Sequence, residues 1–347
     1  MNDSGSAPGH WRLDWPTSSG RAGRARLKCF PEDFRVDEHL GDAGGLAGEG
    51  EHLYLLLEKV GDNTDYVART LAGLVGCRAF DVGYCGLKDR HAVTTQWFSL
   101  YRPGMEQDDA ALIERIGEHW RVLSETRAPK KLRRGDHAGN RFTIVLRAVS
   151  GDRRSLDEAL CRLRDRGAPN YFGPQRFGRG GGNLDKALQI DPARLNRRSK
   201  RGAKGGSQRT KNVLYFSAAR SWLFNEVLAA RVSDGSWRDP LPGESAAPVD
   251  APTGPMWGDG GTDATGDQER LERDVVAQHP DIAALFSATR MKPERRPLVA
   301  RPDNLTWCWL ADDVLEVQFQ LAPGQFATTV LGDVLELEDR SLGPDNQ

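Results

Sequence analysis

The sequence predicts a mixed α+β fold interrupted by an inserted domain. Three observations lead there. Strand-like apolar runs lie toward both ends of the 347-residue chain, at residues 52–60 and again at 305–310 and 314–321. The middle is richer in helical spacing. Strands and helices do not alternate strictly, as they would in a doubly wound parallel sheet. The length suits two ordinary domains or one large domain carrying an insertion.

After a polar lead, residues 25–38 read as extended segments broken by Pro31. The run His52-Leu53-Tyr54-Leu55-Leu56-Leu57-Glu58-Lys59-Val60 has the continuous apolarity of a buried strand. Asn63 or Thr64 can cap a helix on which Val67, Leu71, Leu74 and Val75 share one face. Residues 80–85 read as a short strand and residues 96–101 as an aromatic-rich one. A strand at 141–147 and a helix at 155–166 follow. From Ala168 the texture changes to Pro169-Asn170-Tyr171-Phe172-Gly173-Pro174-Gln175-Arg176-Phe177 and a glycine-rich turn, then a helix and a long helix at 214–231. Residues 233–266 are dominated by Gly, Pro, Asp and Ser, and predict an irregular or partly disordered loop. A helix at 268–277, the returning strands and a helix opening near Pro323 complete the chain, which shows no internal repeat.

Cations and acids nearly cancel, 48 against 49, so a nucleic-acid partner must be met by a local basic surface. Two such runs exist. Residues 192–211 carry Arg194, Arg197, Arg198, Lys200, Arg201, Lys204, Arg209 and Lys211 and no acid, interleaved with Gly and Ser as in a flexible loop. The other is Lys130-Lys131-Leu132-Arg133-Arg134. The five cysteines are scattered and lack any Cys-x-x-Cys spacing, which argues for reduced thiols and against a disulfide framework or structural zinc. No apolar run has the length of a membrane span and the N-terminus lacks signal-peptide character, so a cytoplasmic protein is expected.

The densest chemistry lies in Gly86-Leu87-Lys88-Asp89-Arg90-His91-Ala92-Val93-Thr94, where one carboxylate sits between two cations at a junction of elements. Lys88 and Arg90 are expected to hold Asp89 ionised, ready to act as nucleophile, base or anchor. A solvated salt-bridge cluster is the plainer alternative. The turn Gly178-Arg179-Gly180-Gly181-Gly182 has neither the Lys-Ser/Thr ending of a P-loop nor a dinucleotide spacing, and reads as a tight structural turn. Tyr171, Phe172, Arg176 and Phe177 fit a stacking surface for nucleic acid nearly as well as a packed junction. Phe34 and Phe326 are rings that could sandwich a planar base, and Asn140 offers an amide matching a pyrimidine edge, although core and turn roles suit all three. Neither a His-Glu-x-x-His nor a serine elbow is present.

Taken together, Pro31-Glu32-Asp33-Phe34, the Gly86–Thr94 block, Gly139-Asn140-Arg141-Phe142, the Asn170-Tyr171-Phe172-Gly173 and Gln175-Arg176-Phe177-Gly178 blocks, Ser217-Ala218-Ala219-Arg220-Ser221 and Pro323-Gly324-Gln325-Phe326-Ala327-Thr328 resemble the TruD family of transfer RNA pseudouridine synthases. The blocks occur in the family's order across nearly the whole chain, and residues 233–266 lie outside them. The resemblance implies a pseudouridine-synthase catalytic domain with a mostly antiparallel curved sheet at residues 1–167 and 301–347, and an inserted α/β domain at 168–300. It also implies that Asp89 is the catalytic aspartate and that Phe34, Asn140 and Phe326 line a uridine pocket. Lys88, Arg90 and Phe142 would support that site, and Arg194, Arg197, Arg198, Lys200 and Arg201 would track the RNA backbone. Transfer RNA at uridine 13 is the implied substrate. The isomerisation breaks the bond from C1′ to N1, turns the uracil and joins C1′ to C5, which requires no redox change, metal or cofactor. No membrane or obligate protein partner is expected. A non-catalytic RNA-binding or remodelling protein, which would not need Asp89, and a nucleotide-dependent enzyme built on the Gly178–Gly182 turn are the alternatives.

If the basic run meets RNA, neutralising Arg197, Arg198, Lys200 and Arg201 together will weaken binding and flatten its salt dependence by roughly one unit per lost phosphate contact. A titration against ionic strength checks this, and an unchanged slope would exclude phosphate contact by these side chains.

Overall fold

The computed structural model describes residues 11–41, 48–190, 205–244, 251–287 and 291–341. It divides into two compact units. The first comprises the described residues of Ala22–Arg164, Pro302–Gln325 and Leu335–Gln347, the second those of Met1–Arg21, Asp165–Arg301 and Phe326–Val334. Residues 11–21 and 326–334, which the sequence reading grouped with the ends of the chain, thus cluster with the middle segment.

The first unit is built on a ten-stranded, mostly antiparallel sheet. Its strands are β1 (Gly23–Leu27), β2 (Phe34–His39), β3 (His52–Val60), β4 (Gly83–Tyr84), β5 (Val93–Tyr101), β6 (Arg121–Ala128), β7 (Gly139–Gly151), β8 (Asp303–Ala311), β9 (Val314–Leu321) and β10 (Leu335–Asp339). The main path runs β8-β9-β7-β2-β5-β3-β6; β4 adds to β5, and β1 bridges β7 and β10. Only β2 with β5 and β1 with β10 are parallel. The long strand β7 serves β2 and β9 along its first part and β1 along its last. The β1–β7 register shifts between Arg24 and Arg26, and Ala148 takes a left-handed φ of 49° on β7. Such an irregularity bends a strand and sharpens its twist. The sheet does not close into a barrel.

The β3 run is buried along most of its length because both faces of the sheet are covered here. On one side Leu53, Leu55, Leu57, Phe98 and Leu100 pack with helices α1 (Thr64–Val75) and α2 (Asp109–Gly117) through Val67, Leu71, Leu112 and Ile116. On the other, Tyr54 and Trp97 pack with Leu40, Cys85 and Leu132. Helix α1 starts where Asn63 accepts the Tyr66 amide at 2.8 Å and ends at Gly76, whose φ of 79° closes the last turn. Helix α3 (Arg153–Arg166) buries Leu156, Ala159, Leu160 and Leu163, and its Asp157 receives the indoles of Trp307 and Trp309 at 2.8 and 3.1 Å. The strand expected at residues 80–85 shrinks to β4, because residues 79–81 form a 3-10 turn that leaves Phe80 exposed. Strands β6 and β10 and helix α2 carry no run that sequence analysis singled out.

The second unit centres on helix α5 (Gly205–Ser233), flanked by α4 (Gly182–Leu188), α6 (Gly266–Ala277), α7 (Pro280–Ala284) and α8 (Ala327–Gly332). Phe216, Trp222, Leu223, Phe224 and Val227 form its core with Trp15, Tyr171, Phe172 and Phe177. Gly181 has a φ of 84°, and a Cβ there would lie 2.3 Å from the Trp11 ring, so the glycine-rich turn is shaped by close packing. The expected irregular loop at 233–266 is instead partly ordered. Trp237 and Trp257 are buried, and Thr253–Met256 pairs with Glu294–Pro297. Average hydropathy hides these two large anchors.

At one end of β5, Asp109 accepts from Arg102 at 2.8 Å and from Arg127 at 2.6 Å, with both guanidinium groups almost completely buried. Asp109→Ala would take the carboxylate from buried Arg102 and leave Arg127 with the more exposed Glu106 at 3.0 Å, and is expected to cost about 3 kcal/mol, read from the urea midpoint. A loss within experimental error would show that water compensates them.

Candidate active site

Asp89 lies in the turn between β4 and β5, and its carboxylate keeps a third of its surface exposed. Its pairing differs from the expected one. Lys28, on the turn after β1, donates through Nζ to Asp89 Oδ2, while Oδ1 accepts the His91 amide at 3.0 Å. Lys88 turns away and binds Glu38 and, at 2.8 Å, Asn140 Oδ1. Arg90 donates to the Gly61 carbonyl at 3.0 Å from an exposed position. Residues adjacent in sequence need not face one another, and here the side chains of Lys88 and Arg90 go to other partners. Burial opposes ionisation of Asp89, but the charge and hydrogen bond of Lys28, with the His91 amide, hold its carboxyl below the ordinary carboxylate range.

Lys28 is a residue that sequence reasoning missed. Its side chain is only 3% exposed and lies 3.6 Å from Asp339 Oδ2 and 4.7 Å from the centroid of the Phe34 ring. Its φ of 55° is left-handed, an uncommon conformation for a non-glycine residue. Sixty-one residues separate Lys28 from Asp89, so no local spacing could reveal the pair.

The turn is fixed by further polar contacts. Gln96 donates to the Gly86 carbonyl at 2.7 Å, and Thr64 Oγ1 accepts the Lys88 amide at 2.9 Å. Glu38, whose side chain is fully buried, also accepts the Trp97 amide at 3.1 Å. Lys59 reaches the Asp62 carbonyl at 2.6 Å and the Asp89 carbonyl at 3.4 Å. Burial pulls the Lys59 ammonium down to about 8 against the attraction of Asp62 and Asp89.

Phe34 begins β2 and is 5% exposed, edge-on to Phe142 at 6.1 Å, with Phe142 stacked on Phe319 at 5.4 Å. The preceding turn is held by Asp33, which receives a bidentate Arg147 guanidinium at 2.7–3.0 Å and the Phe30 amide at 3.1 Å. Asn140 faces Glu38 across the β2–β7 ladder, which is how both come to share Lys88. Asp89, Phe34, Asn140, Lys88 and Phe142 therefore all belong to the first unit. Phe326 belongs to the second, at the start of α8, 38% exposed and 6.2 Å from Phe172. Arg194, Arg197, Arg198, Lys200 and Arg201 lie outside the described residues.

Tyr171, Phe172 and Phe177 are interior residues of the second unit. Asn225 binds the Phe172 amide and carbonyl at 2.8 and 2.9 Å, and the Arg296 guanidinium lies 4.0 Å from the Phe172 centroid. Among the described residues, no three His, Cys, Asp or Glu side chains are grouped to hold a metal ion, and no helix is long and apolar enough to cross a membrane.

Several known proteins are similar to this chain. A family model described as tRNA pseudouridine synthase D (TruD) matches residues 16–184. A tRNA pseudouridine synthase D of Marinobacter nauticus is 62% identical over 353 residues, covering 99% of this chain and 100% of that protein. The protein of the same description from Pseudomonas entomophila is 40% identical, covering 93% and 94%. The crystal structure of a protein designated tRNA pseudouridine synthase D (TruD) from Methanosarcina mazei shares the fold, with a TM-score of 0.65 at 20% identity over 93% of this chain and 96% of that one.

Lys28→Met tests the electrostatics. With the cation gone, only His91 still opposes burial at Asp89, so its carboxyl titration moves up from below the ordinary range, about 3.9 for Asp. In the parent, the ion pair stabilises the fold above that value and is lost as pH falls through the lower folded pKa. Carbon-13 NMR of the carboxyl follows both titrations, and an unchanged midpoint would remove Lys28 as its determinant.

Proposed function

The chain belongs to the TruD family, and on that footing we propose that it isomerises uridine to pseudouridine in transfer RNA, at position 13, with Asp89 as the catalytic carboxylate. The observation that carries the reading is a carboxylate held ionised by a buried lysine yet still one-third exposed, so that it is both charged and reachable. A carboxylate in that state can attack the sugar or base covalently, or remove a proton from the sugar. Lys28 fixes its position and charge. The uracil freed from C1′ must be kept from escaping while it turns. Asn140 suits that role, because Lys88 occupies its Oδ1 and leaves the amide NH2 to donate to a uracil carbonyl. The Phe34, Phe142 and Phe319 rings give the site an apolar wall.

A uridine in folded RNA must leave its stack to reach Asp89, at a cost of a few kcal/mol that stacking and edge hydrogen bonds offset. We assign the sheet-bearing unit to catalysis and the unit centred on α5 to the family's inserted domain. All five cysteines are free thiols, which suits a cytoplasmic setting.

Asp89→Asn keeps size and removes charge. The variant is expected to bind transfer RNA about as well as the parent while pseudouridine formation falls by at least about a hundredfold. Because Lys28 then keeps only the more distant Asp339 as an anion, some stability is lost as well, so the melting temperature is followed on the same preparation. Single-turnover pseudouridine mapping decides the matter, and substantial remaining turnover would sink the assignment.

A further inference from the structure

The basic run Lys130–Arg134 is placed by the fold beside the catalytic turn. Leu132 donates its amide to Ser99 Oγ at 3.0 Å, and Gly135 donates to the Cys85 carbonyl at 2.9 Å, four residues before Asp89. Gly83 permits the approach, since a Cβ there would lie 2.5 Å from the Leu132 carbonyl oxygen. The turn is closed by Arg133 and Asp136, whose amide-to-carboxylate and amide-to-carbonyl bonds are 2.6 and 3.1 Å. Lys130, Arg133 and Arg134 project from this rigid base into solvent.

Beside them stands Phe80, 81% exposed, the most exposed large apolar side chain among the described residues. Lys131 donates to its carbonyl and places Nζ 4.6 Å from the ring centroid. Arg134 lies over Tyr84, 5.9 Å from its centroid. The one acid on the Phe80 turn, Asp81, is already paired with Arg78 at 2.9 Å. The patch is thus an open ring among cations on a pinned backbone. Phe80 precedes Asp89 by nine residues, which bounds their separation at roughly 30 Å even for a fully extended chain.

We propose that Phe80, Lys131, Arg133 and Arg134 form a second docking platform for the transfer RNA substrate, on which an unpaired nucleotide other than the reacting uridine stacks while the cations take the flanking phosphates. This rests on the reading of transfer RNA as substrate. A phenyl ring stacks on any base, and guanidinium and ammonium groups meet the phosphates regardless of sequence, so the platform contributes affinity and register.

The test uses the full chain with Phe80→Ala, Phe80→Leu, Phe80→Trp and the double substitution Arg133→Ala/Arg134→Ala, binding unmodified transfer RNA over a salt series. Phe80→Ala and Phe80→Leu should each weaken binding about fivefold or more with the salt slope unchanged, and Phe80→Trp should stay within about twofold of the parent. The arginine pair should instead flatten the slope by about one to two units. Losses should fall on KM, with melting temperatures unmoved because the side chains are exposed. Unchanged affinity in Phe80→Ala, or Phe80→Leu binding as well as Phe80→Trp, would overturn the platform. Pseudouridine formation by the parent on the same transcript reads the underlying function separately, so failure of one is not mistaken for failure of the other.

Discussion

A buried ammonium must find anions or carbonyl oxygens, because leaving it unpaired in a low-dielectric interior is prohibitively costly. Three lysines around the Asp89 turn are under that constraint. Lys28 meets Asp89 and Asp339, Lys88 meets Glu38 and Asn140, and Lys59 meets the backbone carbonyls of Asp62 and Asp89. Each ties the turn to a different part of the first unit: β1 and β10, β2 and β7, and the end of β3. The turn is short and irregular, yet its central carboxylate is held at both oxygens. Rigid support of this kind is what fixes a reacting group before substrate arrives.

The sheet makes these attachments coherent. Strand β5 follows the turn directly and is buried along all but its last residue, between β2 and β3. One of its buried polar groups, Gln96, holds Gly86 in the turn, and Thr95 donates to Asp37 at 3.0 Å. Strand β2 brings Phe34 and Glu38 beside it, and β7 brings Asn140 and Phe142 beside β2. Candidate site residues separated by more than a hundred positions in sequence, such as Phe34 and Asn140, thus lie on adjacent strands. In the second unit, by contrast, the aromatic and basic block at residues 170–177 is consumed by packing. Phe172 is clasped by Asn225 and covered by Arg296, and with Tyr171 and Phe177 it serves the interior.

The amino-acid sequence by itself determined the elements whose signals are local. The β3 run, the Asn63 cap of α1, the strands of β7 and β9 and the mixed α+β class follow from burial periodicity and capping chemistry, which need no distant partner. So did the placing of Asp89 at a junction of elements. What only the tertiary structure decided are the pairings. Lys28, not Lys88 or Arg90, is the counter-ion of Asp89; Lys88 serves Glu38 and Asn140; and two tryptophans order a segment whose composition reads as loop. These outcomes depend on which strands become neighbours and on which way each side chain points from them, and an ion pair between residues sixty-one positions apart leaves no trace in local pattern.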